Sequence, residues 1–348
     1  MSELEPIPAL SASRIGTANR CGLAYKYQYV DRIPALQESA SRLFGHVIHD
    51  GVAEWYGEGL TTEANIHRHK DLSLEKIVAA QWKEKLPPKI WEALQGVIEA
   101  DKEREATASL ILMQRPTLKK PMNTKAFLES SASKNFIEKQ LALRELADKM
   151  NDIKWPQSTD PFTEYSKSRM VARIMEMEWK PQPRPIMVEE AFHMELEGFV
   201  VRGRIDQVRQ DLDLGTGELM DPIVLDIKSG KQPLTQMEAF LQAYLYSEAC
   251  RQNPDLPTTN KVDFYLCRHV DERGQIKVQR GSIDPDRHKR LALRILKSVG
   301  TKIQHKEYGP HYGHWCKMCD YNELCSKEIS LWDGDGIELE DTRDVGIA

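Results

Sequence analysis

Apolar positions recur along this chain in two rhythms, and the change from one to the other divides it. From Ser11 to about Tyr29 the spacing predicts a helix, with Ser11 or Ser13 as its N-cap. A second helix, from about Glu38 to Tyr56, carries Leu43, Phe44, Val47, Ile48 and Val52 on one face. The pattern then stays helical and highly charged to about Lys180, where Pro181, Pro183 and Pro185 close the block. Beyond it the period shortens to two. Ile186 to Glu195, Phe199 to Arg209 and Met220 to Lys228 predict strands, with Gly198 in the first turn and Gly215-Thr216-Gly217 in the second. Thr235 to Arg251 predicts an amphipathic helix with Met237, Leu241, Tyr244 and Leu245 on one stripe. Val262 to His269 and Gln275 to Ile283 predict a hairpin around Glu272-Arg273-Gly274. A basic helix from about Pro285 to Lys306 follows. The chain has no internal repeat and no low-complexity run.

Composition narrows the class without naming it. The 348 residues are 29% charged and 41% hydrophobic, the balance of a globular protein large enough for a sizeable core. No apolar run approaches the ~20 residues that span a bilayer, so no membrane partner is expected. The start, MSELEPIPAL, lacks the basic and apolar blocks of a secretion signal, and a cytoplasmic location is expected. A formal net charge of −5 argues weakly against a nucleic-acid partner, yet a basic groove can sit on an acidic body. The stretch Asp333 to Asp344 reads as a disordered acidic tail.

Candidate chemistry lies in the first strand pair. A register centred on Thr216 sets Asp206 opposite Asp226, with Cβ atoms roughly 4.5–5.5 Å apart. Two like charges so close call for a cation between them, and Mg²⁺ or Mn²⁺ suits carboxylate oxygens. Lys228 shares a face with Asp226, while Leu225 and Ile227 point to the opposite, apolar side. Two acids, a metal and an amine can hydrolyse a phosphodiester: the metal acidifies water, and the ammonium steadies the developing oxyanion. The competing reading is a surface hairpin with a Lys228 salt bridge. A register slip of one residue would part the acids.

Cys316, Cys319 and Cys325 form C-x2-C-x5-C, and in a reducing compartment such a cluster suggests metal rather than disulfides. Two completions stay open: His311 or His314 closing a zinc site, or Cys21 supplying a fourth thiolate. Cys250 and Cys267 read as buried apolar residues.

GRIDQV (Gly203 to Val208) followed by VLDIKSGK (Val224 to Lys231) resembles the core of the PD-(D/E)xK nuclease superfamily, and most of all its RecB-like exonucleases. The likeness extends to a Q-x3-Y helix at Gln242 and Tyr246 and an upstream G-x3-H helix at Gly45 and His49. The resemblance implies an α/β, restriction-endonuclease-like fold: a central mixed β-sheet flanked by helices, with a helical insert and a cysteine-ligated cluster lobe. It implies that His49, Asp206 and Asp226 bind the catalytic Mg²⁺ or Mn²⁺, that Lys228 assists the attacking water, and that the helix face of Gln242 and Tyr246 lies beside the DNA and the active site. His46, one turn before His49, competes for its role. In the iron–sulfur branch, similar to CRISPR-associated and phage exonucleases, one N-terminal cysteine joins three C-terminal ones around a 4Fe–4S cluster. That points to Cys21 with Cys316, Cys319 and Cys325, zinc being the lesser choice. The serine-rich opening LSASRIGTANRCGLAYKY is similar to that branch, but proline often follows its first cysteine, where Gly22 stands here.

The expected organisation is 1–56 for N-terminal helices bearing Cys21 and His49, 57–185 for the insert, 186–283 for the β-rich nuclease core, 284–330 for the C-terminal helix and cluster segment, and 331–348 for the tail. In the insert, Lys83, Lys85, Lys89, Trp91, Arg115, Lys119, Lys120 and Lys134 are candidate DNA contacts, on an arch for single-stranded DNA. Gly230-Lys231 is followed by Gln232, not the Ser or Thr of a phosphate loop, so a helicase or recombination motor would be a separate partner. The expected function is a metal-dependent exonuclease on single-stranded or end-containing DNA; recombination, repair, CRISPR adaptation and phage DNA processing all fit it equally. The alternatives are a non-catalytic DNA-binding protein with a structural metal and a zinc-stabilised interaction protein.

Overall fold

The computed structural model describes residues 7–35, 38–113, 127, 130–156, 158–230, 232–313, 315–316 and 319–332. The main helices are α1 (Ala12–Arg20), α2 (Ala40–Tyr56), α3 (Leu74–Lys85), α4 (Pro88–Met113), α5 (Ser131–Met150), α6 (Pro161–Trp179), α7 (Gln236–Gln252), α8 (Pro285–Gln304) and α9 (Asn322–Trp332). The main sheet consists of β1 (Gly59–Leu60), β2 (Met187–Leu196), β3 (Phe199–Arg209), β4 (Ile223–Lys228), β5 (Lys261–Val270) and β6 (Ile276–Ser282). Two compact units divide the chain: Gln37–Leu293, and Met1–Leu36 together with Arg294–Ala348.

In the larger unit the six strands lie side by side in sequence order. Every neighbouring pair is antiparallel except β4 and β5. Those two run parallel, and α7 supplies the crossover that a parallel pair requires. The sheet is thus mixed and flanked by helices. The β3–β4 ladder pairs Gln207 with Leu225, Val208 with Val224 and Arg209 with Ile223, the register centred on Thr216. Strand β4 begins at Ile223, later than the expected Met220, because Pro222 has no N–H to give the ladder.

Alternation along β4 sorts its side chains by face. Leu225 and Ile227 join one hydrophobic cluster with Phe44, Trp55, Trp82, Leu94, Leu143 and Trp179. Each such burial contributes about 1.5–3 kcal/mol, so helices α2 to α6 are held to the sheet by a shared core. Trp91 packs partly buried against that core, edge-on to Tyr165. Helix α7 buries Leu241, Tyr244 and Leu245, but Met237 is half-exposed and leaves the expected stripe. Its first turn is held by a capping box of Thr235 and Glu238 instead.

In the smaller unit α1 is capped by Ser11, which accepts from the Arg14 N–H. The expected continuous helix to Tyr29 is broken at Cys21, which is extended (φ −160°). Helical turns resume at Gly22–Tyr25 and pass into a π-turn at Lys26–Val30. Gly22 is where the backbone of residues 307–309 comes close: a Cβ there would lie 3.0 Å from the Glu307 and Gly309 carbonyl oxygens. A proline would collide, which accounts for glycine after the cysteine. Tyr27 lies against Tyr321, whose hydroxyl donates to the Ile33 carbonyl (3.0 Å). The acidic stretch Asp333 to Asp344 lies outside the described residues.

Candidate functional site

Three neighbouring strands each deliver one carboxylate to the same end of the sheet. Asp206 on β3 and Asp226 on β4 lie one step beyond the last paired residues of their ladder, and both are buried. Asp206 Oδ2 accepts the backbone N–H of Ile227 at 2.6 Å. Asp226 Oδ1 accepts from the Tyr246 hydroxyl (2.7 Å) and from Gln242 Nε2 (3.1 Å). Its Oδ2 forms an ion pair with Lys228 Nζ at 2.6 Å.

The third acid, Glu189 on β2, was not foreseen. The pairs Val188–Gln207 and Glu190–Ile205 flank it, so Glu189 stands across from Asp206. Its backbone has φ +53°, a left-handed conformation that costs a non-glycine residue about 1–2 kcal/mol. The sequence held the signal. Glu197 and Gly198, both at positive φ, form the two-residue turn between β2 and β3. A register centred on that turn puts Glu189 opposite Asp206, as the one centred on Thr216 sets Asp206 opposite Asp226.

His49 reaches this group from α2. Its Nε2–H donates to the Ile227 carbonyl (3.0 Å), which fixes the tautomer and leaves Nδ1 facing the acids. Nδ1 lies 3.2 Å from Glu189 Oε1 and 3.6 Å from Asp206 Oδ2. Ligand atoms of His49, Glu189 and Asp206 all fall within 4.8 Å of one another, a group able to hold a metal ion. The approach of α2 depends on Gly45, one turn before His49. A Cβ there would sit 2.5 Å from Ser229 Oγ, just past the end of β4. His46 points elsewhere, half-exposed and 3.1 Å from Glu38.

Electrostatics record the crowding. Burial raises the Asp206 carboxyl, with Asp226 and Glu189 adding, to about 7 despite His49 and Lys228. Burial alone would lower the His49 imidazole, but Asp206 and Glu189 override it and hold it at about 9. Burial and the charge of Asp226 raise the Tyr246 phenol, so it stays a donor. Without metal, a protonated His49 neutralises part of the acid cluster. The donor set of one imidazole nitrogen and carboxylate oxygens suits a divalent cation, which would take that proton's place.

The sequence-expected residues thus converge. Gln242 and Tyr246 turn their polar ends to Asp226 at the site itself, and Gln242 Nε2 also donates to the Tyr246 hydroxyl (2.7 Å). Of the insert's cations, Lys85 pairs with Asp50 at 2.5 Å, while Lys83, Lys89 and Lys134 are exposed. Arg115, Lys119 and Lys120 lie outside the described residues.

In the smaller unit Cys21, Cys316, Cys319 and Cys325 line one cavity. The His311 N–H points at Cys21 Sγ (3.5 Å), and the Gly313 N–H at Cys316 Sγ (3.4 Å). Burial raises the Cys319 thiol, with Cys21 and Cys316 adding. The His311 ring packs edge-on to Trp315, and His314 lies outside the described residues. Cys250 and Cys267 are buried, and burial pushes the Cys250 thiol up to about 12.

No curated protein matches this chain. Among solved structures it is similar to the crystal structure of SSO0001, at 13% identity, covering 64% of this chain and 95% of that one with a TM-score of 0.29. The model of the PD-(D/E)XK nuclease superfamily matches residues 9–122 and 125–326. With nearly the whole described chain spanned by that match, the chain belongs to the PD-(D/E)XK nuclease superfamily.

Proposed function

We propose that this chain is a Mg²⁺- or Mn²⁺-dependent DNA exonuclease of the RecB-like branch, acting on single-stranded DNA or on ends. The observation that carries the reading is the convergence of Glu189, Asp206 and Asp226 on three adjacent strands, with His49 Nδ1 facing two of them. His49, Glu189, Asp206 and Asp226 would hold the metal, whose chemistry is to acidify a water and neutralise phosphate charge. The chain's own residues do the rest. Ile227 holds both sides of the site, its N–H on Asp206 and its carbonyl on His49. Gln242 and Tyr246 orient Asp226, and Lys228 offers an ammonium to a phosphate oxygen or to the attacking water. The exposed Lys83, Lys89 and Lys134 of residues 57–185 guide the strand, and any helicase is a separate partner.

We assign the cavity lined by Cys21, Cys316, Cys319 and Cys325 to a 4Fe–4S cluster, a reading supported by four thiols lining one cavity. The cluster would staple α1 to the C-terminal segment, a structural role. Two experiments test the reading. Labelled linear and circular single-stranded DNA are incubated with Mn²⁺ and either the wild type or Asp226→Ala. An exonuclease shortens only the linear form, and equal degradation by the variant removes the assigned site. Iron and sulfide analysis with visible absorbance tests the cluster; a colourless protein carrying zinc overturns it.

A further inference from the structure

A second cavity of about 530 Å³ opens in the larger unit beside the strand end that carries Lys228. Its walls come from α2 (Phe44), α6 (Glu164, Lys167, Met170) and the end of β5 (Arg268, Val270). The volume is within the ~300–1,000 Å³ typical of small-molecule sites. Arg268 joins it to the acid cluster: its Nε donates to the Ser229 carbonyl at 2.7 Å, one residue beyond Lys228. Its guanidinium carbon stacks 3.9 Å from the centre of the Phe44 ring, in the same helix as His49.

The polar groups of this cavity are underused. The Arg268 side chain is 7% exposed and that of Glu164 1%, and Nη1 lies 2.7 Å from Glu164 Oε2. That contact is an ion pair lacking hydrogen-bond alignment. Arg268 Nη2 is therefore a shielded donor without a hydrogen-bond partner among the described residues, beside the Glu164 carboxylate that Nη1 engages. Leaving such a donor unmet costs about 1–3 kcal/mol, so a native site that retains it calls for an explanation. At the rim Lys167 is exposed and has no ion-pair partner among the described residues, and Met170 is 46% exposed.

A buried donor beside a carboxylate, apolar side chains of Met170 and Val270 along the wall and an exposed cation at the mouth match one chemical object. A nucleobase offers acceptors and N–H donors on a single edge, two apolar faces, and a phosphate a few bonds away. We propose that this cavity receives an unpaired base of the substrate strand, with Arg268 and Glu164 on its polar edge and Lys167 on its phosphate. A paired base has its edge occupied and cannot enter, so the cavity selects single-stranded DNA near the hydrolytic centre. This inference rests on the nuclease reading and adds a subsite to it.

The test uses the full-length wild type in EDTA, where binding is read without turnover. Single-stranded 12-mers labelled at one end carry one abasic site, walked along the strand. Affinity should fall roughly tenfold at one position and little elsewhere, since stacking contributes ~1–3 kcal/mol per base. Lys167→Ala should lower the log–log salt slope by about 0.7, one phosphate contact. Replacing both buried ions, Glu164→Leu with Arg268→Met, should flatten the abasic profile; Met170→Glu at the rim should flatten it too if the double variant does not fold. A flat wild-type profile, or one that survives in folded variants, overturns the proposal. Cleavage of DNA with Mn²⁺ separates the two readings: cutting with a flat profile removes the subsite alone, and a position-dependent profile without cutting removes the nuclease alone.

Discussion

The close approach of α2 to the end of β4 at Gly45 gives a sharp quantitative test. Alanine at 45 gains about 1 kcal/mol of helix propensity over glycine. Its Cβ would also meet Ser229 Oγ at 2.5 Å and Ser229 Cβ at 3.3 Å, where ordinary contact begins at 3.4 Å. Relieving that overlap needs a shift of roughly 1 Å, and overpacking on this scale costs about 1–3 kcal/mol. Gly45→Ala should therefore lose about 0–2 kcal/mol net. In a Ser229→Ala background the worst overlap is gone, and the same change should be neutral or stabilising by up to about 1 kcal/mol. The coupling between the two sites is then about 1–3 kcal/mol, the cost of the relieved overlap, resolvable in a double-mutant cycle. Thermal denaturation in EDTA is the assay, at about 2–4 °C per kcal/mol for a unit of this size. Activity should respond more steeply. His49 lies one turn beyond Gly45, and a misplacement of ~1 Å can cost about 10²-fold in rate, which Ser229→Ala should restore. Equal destabilisation by Gly45→Ala in both backgrounds would falsify the close-approach argument. A fully active Gly45→Ala enzyme would break its link to His49.

Three further outcomes follow from the site. Glu189→Gln should weaken Mn²⁺ binding, measured by calorimetry, as much as Asp206→Asn does; a variant with wild-type affinity removes Glu189 from the ligand set. Tyr246→Phe deletes a hydrogen bond to the buried Asp226 carboxylate, which is expected to cost about 1.5–3 kcal/mol, and denaturant unfolding that gives no loss refutes the bond. The pH dependence has a definite sign. The His49 pKa is raised from 6.5 to about 9, so its interactions stabilise the metal-free protein fully below pH 6.5 and fade as pH rises through 9. Asp206, raised from 3.8 to about 7, works the same way at lower pH. Metal displaces the His49 proton, so the Tm increment on adding Mn²⁺ should grow from pH 6 to pH 9. An increment that stays constant or shrinks with pH contradicts that exchange.

Much of this protein can be read from local pattern. Strand β3 begins and ends at the residues that the period-two alternation indicates, and the Thr216-centred register follows from the same alternation with its turn. Together they account for the placement of Asp206, Asp226 and Lys228, because period and register are local properties. The misjudged elements are those where something distant acts. Cys21 interrupts a helical pattern that runs on past it, and the backbone of residues 307–309 against Gly22 is invisible in the local pattern. Trp91 stands in a charged segment whose local pattern does not show that it packs against the shared core.

Sequence by itself determined the strand order of acids and amine, the helix bearing His49 and the cysteine pattern, since each depends on spacing along a single element. Tertiary structure alone decided that Glu189 stands across from Asp206 in a left-handed backbone and that Ile227 holds both Asp206 and His49. It also decided that Gln242 and Tyr246 serve Asp226, and that Arg268 and Glu164 meet in one cavity. These are contacts between elements far apart in the chain, and burial, which no local pattern encodes, sets their strength.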